Sequence, residues 1–256
     1  MSNCLVIIPT YNEKENIREI VEAVMQQPTP FDLLIVDDAS PDGTADIVKS
    51  LQPKYEGRLH IEEREGKLGL GTAYIHGFRW ALKRHYEFVF EMDADFSHNP
   101  ADLNKLYHAC HDQGNDMAIG SRYVTGVNVV NWPMSRVMLS YFASYYVRFI
   151  TGLPITDTTA GFKCYSRTVL ETIDLAKVRF MGYAFQIEMK FLTWKYGFKI
   201  KEVPIIFTDR TKGKSKMSGG IVKEAVIGVL QIKIGSLFKT YRRDMELTPT
   251  LATGEE

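Results

Sequence analysis

The sequence predicts an α/β protein: a mostly parallel sheet covered by helices on both faces. Three observations carry that expectation. Residues 3–8, 33–36 and 88–90 are short continuous or near-continuous apolar runs, which read as strands buried on both faces. They alternate with segments whose apolar residues recur at helical spacing. The turns that follow the strands gather acids, glycines and an aromatic. In such sheets, ligands bind outside the carboxyl ends of the strands, where these turns emerge.

Taken in order, residues 3–8 form the first strand, with Pro9 as its stop. A helix from Asn16 to Met25 places Ile17, Ile20, Val21 and Val24 on one side. The second strand covers 33–36, and Asp42-Gly43-Thr44 opens a helix through Ile47, Val48 and Leu51. Leu59-His60-Ile61 is a third strand, followed by a turn with Gly66, Gly69 and Gly71 and a helix to Leu82. Phe88-Val89-Phe90 is the fourth strand and Met117-Ala118-Ile119 the fifth. The alternation blurs after about Tyr123. Pro133 to Leu153 reads as a helix rich in aromatic and basic residues. A further helix near 184–196, a strand over 200–207 and a last helix over 217–243 follow. That last helix sets Val222, Val226, Val229, Leu230, Ile234, Leu237, Phe238 and Tyr241 in a stripe flanked by Lys216, Lys223, Lys233, Lys239, Arg242 and Arg243. The pattern suits a helix lying in a bilayer interface, and equally one packed on the core. One domain over 1–243 with a polar tail over 244–256 is the economical organisation.

Composition narrows the function. The 256 residues are 45% hydrophobic and 24% charged, with a formal net charge of zero, so overall charge makes no case for nucleic-acid binding. Cys4, Cys110 and Cys164 are scattered and odd in number, which suits a reducing compartment and argues against a disulfide framework or zinc site. No stretch reaches the roughly 20 apolar residues that span a bilayer. A cytoplasmic or membrane-surface protein is expected.

The chemistry concentrates in the strand-end turns. Glu91-Met92-Asp93-Ala94-Asp95 follows the fourth strand. If the strand continues, Asp93 and Asp95 point the same way and share one hard cation, magnesium or manganese, beside a diphosphate. Pro9-Thr10-Tyr11-Asn12-Glu13 brings an aromatic and a carboxylate to the edge, with Asn12 available as a helix cap. In Asp37-Asp38-Ala39-Ser40-Pro41-Asp42, Asp42 suffices to cap the helix, which leaves Asp38 to accept hydrogen bonds from a base or ribose. Lys67, Gly69 and Gly71 form a turn that lets backbone approach a ligand.

These segments resemble glycosyltransferase family 2, and within it the polyprenyl-phosphate mannosyltransferases. The resemblance is carried by Ile8-Pro9-Thr10-Tyr11-Asn12-Glu13, Val36-Asp37-Asp38-Ala39-Ser40-Pro41-Asp42-Gly43-Thr44, Lys67-Leu68-Gly69-Leu70-Gly71 and Met92-Asp93-Ala94-Asp95-Phe96-Ser97-His98-Asn99-Pro100. Gly120-Ser121-Arg122-Tyr123, residues 157–163 and Phe207-Thr208-Asp209-Arg210, with Gly213, Ser215 and Lys216, extend it. It implies a GT-A fold, a divalent cation (Mg2+ or Mn2+), GDP-mannose as donor and a lipid phosphate as acceptor. It implies that Pro9, Tyr11, Glu13, Asp38, Lys67 and Asp93 line the nucleotide, and that Asp93 and Asp95 hold the metal. Arg122, Arg136, Arg210 and Lys216 would bind phosphates, as guanidinium forks suit phosphate oxygens. Asp95, Arg122, Arg136 and Asp157 would form the catalytic set, Asp157 orienting the acceptor, acting as a weak base or capping a turn. Ser97 stands where relatives place Gln or Ser, so the third metal ligand is open, and His98 is expected to order its loop. UDP-glucose as donor, or a non-catalytic sugar-nucleotide-binding subunit, are the alternatives. Without transmembrane helices, the chain would sit peripherally on the cytoplasmic face of a membrane or borrow an anchoring partner protein.

Overall fold

A computed structural model describes residues 2–210 and 219–242. Strand β1 (Cys4–Thr10) pairs in parallel with β2 (Phe31–Asp37) and with β4 (Phe88–Glu91), and β2 pairs in parallel with β3 (Leu59–Glu63). All of β2 and nearly all of β1 is buried, as their unbroken apolar runs require. Alternate residues feed opposite layers. Val6, Ile8, Leu33 and Ile35 pack with helices α1 (Ile17–Met25), α2 (Thr44–Leu51) and α4 (Asp102–His111). Leu5, Ile7, Leu34 and Val36 pack with α3 (Leu70–Leu82), α6 (Arg167–Thr172) and α7 (Tyr183–Lys195). Helix α3 lies so close to β1 that a Cβ on Gly77 would stand 2.8 Å from the Ile7 side chain.

The sheet departs from pure strand–helix alternation at one place. Its order is β3-β2-β1-β4-β7-β5-β8, and β7 (Lys163–Ser166) runs antiparallel between β4 and β5 (Met117–Ser121). Cys164 stands opposite both Phe90 and Ala118. Neither β7 nor α4 is among the expected elements. β7 escapes a hydropathy reading because it opens on a lysine that the core buries.

Three boundaries also differ from expectation. Pro9 does not stop β1, which continues to Thr10 opposite Asp37. The Ile7 carbonyl accepts from Met92 on the β4 side, whereas the Thr10 carbonyl accepts from Asp38 on the β2 side. Pro9 therefore aims its missing donor past the end of β4, where no ladder bond is lost. β4 ends at Glu91, so Asp93 and Asp95 belong to the following loop and their orientation is set by loop contacts. The expected strand over 200–207 divides into β8 (Ile200–Pro204), paired with β5, and β9 (Phe207–Thr208), paired in parallel with β6 (Val129–Val130). The split carries residues 207–210 over the sheet edge, onto the loop after β4. Helix α8 (Gly219–Leu237) packs on both helix α5 (Met134–Thr151) and α7, and Val147, Ile187, Phe191, Val229 and Ile232 share one apolar cluster.

Candidate active site

The strand-end turns meet at one edge, and three of them hold a non-glycine residue at positive φ: Asn12 (57°), Ala39 (54°) and Phe96 (59°). Such backbone persists only where the surroundings over-determine it. Asp37 supplies much of that determination. Buried at the end of β2, it accepts from the Thr10 hydroxyl (2.7 Å) and from the Ser40 amide (2.8 Å) and hydroxyl (2.7 Å). The Ser40 hydroxyl in turn accepts from the Asn12 amide at 2.9 Å. Asn12 is thus a left-handed turn residue and not a helix cap. The N-cap of α2 is Gly43, and Asp42 before it accepts from the Thr44 amide at 3.0 Å and hydroxyl at 2.6 Å and also takes the Lys14 amide at 3.0 Å. The Glu13 amide donates to the Thr44 hydroxyl at 3.1 Å, tying the first turn to α2.

Of the expected nucleotide residues, Tyr11 and Lys67 come together, the Lys67 ammonium 4.9 Å from the Tyr11 ring centre. Asp38 is not left free. Arg64 binds it through Nε (2.7 Å) and Nη2 (2.5 Å), and among the described residues its second carboxylate oxygen takes only the Leu68 amide at 3.3 Å. Arg64 also donates to the Thr72 hydroxyl at 2.8 Å, so it links Asp38 to the start of α3. The sequence reading passed over Arg64; its position three residues before Lys67, opposite a surplus acid, is the signal that could have found it.

Asp93 and Asp95 occupy the centre of the edge. Burial, reinforced by the charge of Asp95, pushes the Asp93 carboxyl up to about 7. Burial works against ionised Asp95 too, but hydrogen bonds from Ser97 and the Arg210 charge hold its carboxyl below the ordinary range. Arg210 Nη2 lies 2.9 Å from Asp95 Oδ2, and the Ser97 amide donates to Oδ1 at 3.0 Å. His98 is buried with its ring stacked on Phe162 at 4.9 Å and edge-on to Phe207 at 5.3 Å. Burial drives its pKa down to about 4, so it is neutral and orders the loop. Two crowded carboxylates, one reluctant to ionise, make a pair of hard oxygen donors that fits a divalent cation. Among the described residues no group of three His, Cys, Asp or Glu converges as a complete metal cage, so other oxygens would fill the shell.

Arg122 and Asp157 form a buried ion pair, with Arg122 Nε and Nη2 donating to the carboxylate at 2.7 and 2.6 Å and the Arg122 amide at 2.9 Å. Arg122 Nη2 also reaches the Thr159 hydroxyl at 2.8 Å. This corrects two expectations. Asp157 is fully buried, and against the burial that opposes ionisation the Arg122 charge holds its carboxyl below the usual range, so it is an anchor and not a base. Arg122 has two of its three nitrogens committed to that anchor, so it does not offer an open fork to phosphate. Arg136, at the start of α5, donates to Asp209 at 2.8 Å and lies 4.2 Å above the Trp132 ring. Asp209 is a second partner the sequence reading missed. Lys216, with Gly213 and Ser215, lies outside the described residues. Next to Asp95, an open groove of about 570 Å³ is lined by residues including Phe96, Asn99, Thr208 and Asp209.

Comparison with known proteins matches residues 5–174 to the profile described as "Glycosyl transferase family 2". The chain is 48% identical over 227 residues to polyprenol monophosphomannose synthase of Mycolicibacterium smegmatis, covering 89% of this chain and 85% of that one. It is 44% identical over 243 residues to undecaprenyl-phosphate mannosyltransferase of Micrococcus luteus, covering 95% and 99%. Among solved structures, glucosyl-3-phosphoglycerate synthase of Mycobacterium tuberculosis in complex with Mg2+ and UDP superposes with a TM-score of 0.68. That match covers 90% of this chain and 79% of the other at 16% identity, a likeness of fold.

Proposed function

From a chain that belongs to glycosyl transferase family 2, with the GT-A architecture of its structural neighbours, we propose an enzyme that transfers mannose from GDP-mannose to a polyprenyl phosphate. The relatives' names, a polyprenol monophosphomannose synthase and an undecaprenyl-phosphate mannosyltransferase, support mannosyl transfer to a lipid phosphate. The observation that carries the donor reading is the Asp93–Asp95 pair beside the Tyr11–Lys67 contact at one sheet edge. The nucleotide lies across Pro9, Tyr11, Glu13, Asp38 and Lys67, with the second carboxylate oxygen of Asp38 accepting from base N–H groups.

Asp93 and Asp95 would hold Mg2+ or Mn2+, which when bound offsets charge on the leaving diphosphate. Solved structures of the glucosyl-3-phosphoglycerate synthase carry Mn2+ or Mg2+ with UDP, which supports a divalent cation. Arg210, 2.9 Å from Asp95 Oδ2, would offer its guanidinium to the donor phosphates. Arg136 and the remaining nitrogen of Arg122 hold the acceptor phosphate. A phosphate monoester is largely dianionic near neutral pH. One of its oxygens forms the new bond to mannose C1 while the bond from C1 to GDP breaks and GDP leaves with the electron pair. This single displacement inverts the anomeric centre and needs orientation more than a protein base.

The lipid enters from the side of α5 and α8. Helix α5 exposes Met138, Tyr141, Phe142, Tyr145 and Phe149, and α8 exposes Val226, Leu230, Ile234 and Leu237. No helix among the described residues is long and apolar enough to cross a membrane. Apolar faces of this kind suit a peripheral position on the cytoplasmic leaflet. A donor screen tests the reading: labelled GDP-mannose, UDP-glucose and other sugar nucleotides with a short polyprenyl phosphate, with Mg2+ or Mn2+. GDP-mannose is expected to label the lipid, and preference for UDP-glucose would overturn the donor assignment.

A further inference from the structure

Two lysines lie wholly inside the protein beneath the reactive edge, and their situations differ. Lys163, at the start of β7, has its ammonium 3.0 Å from the Glu91 carboxylate, and Gln186 bridges the same pair. Lys190, one helical turn beyond Gln186 on α7, has no carboxylate within ion-pair distance among the described residues. Its ammonium donates to the backbone oxygens of Thr158 at 2.9 Å and Ala160 at 2.6 Å. Burying an ammonium costs several kcal/mol, and carbonyls satisfy its donors without neutralising it. A methionine would fill the same space without that penalty.

What the amine holds is informative. Residues 158–160 continue from Asp157, and Asp157 and Thr159 are the side chains that grip Arg122. Glu202 secures the near end of this turn, accepting from the amides of Thr156 at 2.7 Å and Asp157 at 2.9 Å. Lys190 secures the far end. Both ends are pinned by buried or half-buried side chains from other elements, and Asp157 and Thr159 between them hold Arg122, which follows β5.

We propose that Lys190 is a positioning residue for the acceptor phosphate, fixing the 157–160 turn so that Asp157 and Thr159 aim Arg122 at the lipid headgroup. The inference rests on the reading of Arg122 as an acceptor contact. A turn that shifts by an ångström moves the guanidinium away from the phosphate and leaves the donor loops, built on β1, β2, β3 and β4, where they were.

Lys190→Met, Thr159→Val and the double variant, measured beside the wild type, test it. The readouts are the midpoint of thermal unfolding, GDP-mannose affinity by calorimetry with Mg2+ present, and kcat and KM for a short polyprenyl phosphate. Lys190→Met removes a buried charge but takes the donor from the Thr158 and Ala160 carbonyls, so it is expected to unfold near the wild-type midpoint and to keep donor affinity. Its acceptor kcat/KM is expected to fall by about tenfold to a hundredfold, the usual cost of misplacement near 1 Å. Thr159→Val is expected to show the same split in smaller measure. The double variant should be no worse than Lys190→Met, as two links of one chain are not additive. Unchanged acceptor kinetics in Lys190→Met overturns the proposal. So does parallel loss of stability, donor affinity and acceptor use, the mark of a merely structural amine. If Lys190→Met does not fold, Thr159→Val decides, and normal acceptor kinetics there count against the proposal. A wild type that labels no polyprenyl phosphate refutes the functional reading instead, visible before any variant is scored, and removes this inference with it.

Discussion

Asp93 and Asp157 are acids of the same edge, and their neighbours send them in opposite directions. Asp93 faces another carboxylate and its carboxyl is pushed up to about 7, whereas Asp157 is held low by Arg122. The first shift couples cation binding to pH. The cation needs Asp93 ionised, so affinity of the nucleotide-free protein should rise about tenfold between pH 6 and pH 8, with release of close to one proton at pH 6 and about a tenth of one at pH 8. Titration calorimetry in buffers of different ionisation enthalpy reads this directly; an affinity flat across that range contradicts it. For stability the sign is the reverse. Asp93 binds its proton more tightly folded than unfolded, so its contribution is full below about pH 4. It is lost as pH rises through 7. The second shift marks an anchor. Asp157→Ala strands a buried guanidinium and should cost about 3–5 kcal/mol in denaturant unfolding, where a free base would leave stability unchanged. Arg136→Ala, whose partner Asp209 is half-exposed, should keep stability but weaken acceptor use by about 1.5–3 kcal/mol with donor affinity intact. Kinetics in both substrates check that split. The acids were legible in the sequence because a surplus of carboxylates after a strand exceeds what capping needs. Their partners were not: Arg64 and Asp209 look like solvated surface charges until the fold sets them against Asp38 and Arg136.

Elements show the same division between what spacing reveals and what packing decides. β1, β2 and α1 are continuous or cleanly periodic, and the fold reproduces them within two or three residues. β7 is four residues long and opens on Lys163, whose burial depends on Glu91 from another strand, so no local pattern announces it. The start of α3 depends in turn on a distant segment. The Gly71 amide donates to Met181 at 2.7 Å, and a Cβ there would meet the Phe180 carbonyl and the Phe185 ring at 2.8 Å. Gly71→Ala must displace backbone, so it should cost about 1–3 kcal/mol and weaken donor binding together. Thermal unfolding and GDP titration on one sample check both. Helix α5 makes a different prediction. Phe149 is 77% exposed, so Phe149→Glu should leave the fold untouched and reduce sedimentation with anionic vesicles. Equal sedimentation of variant and wild type would remove α5 from the membrane-facing surface.

At the scale of the molecule, the sheet edge divides into two halves that meet at Asp95. Turns after β1, β2 and β3 form one half, which we assign to the nucleotide, and β5, the 157–160 turn, α5 and residues 207–210 form the other, which we assign to the acceptor. The collinear motifs made the first half readable from the chain. The second half comes from segments separated by more than 70 residues: its arginines were readable in the motifs, but pairings such as Arg136 with Asp209 exist only once the fold joins them. The measurement that tests this account most directly counts GDP released and mannosyl lipid formed in one reaction of GDP-mannose with vesicle-borne polyprenyl phosphate and Mg2+. The account predicts one mannosyl lipid for each GDP, with both products lost when a chelator is added or when Asp95 is replaced by alanine. GDP release without lipid-linked mannose, or undiminished transfer in the chelator, would contradict it.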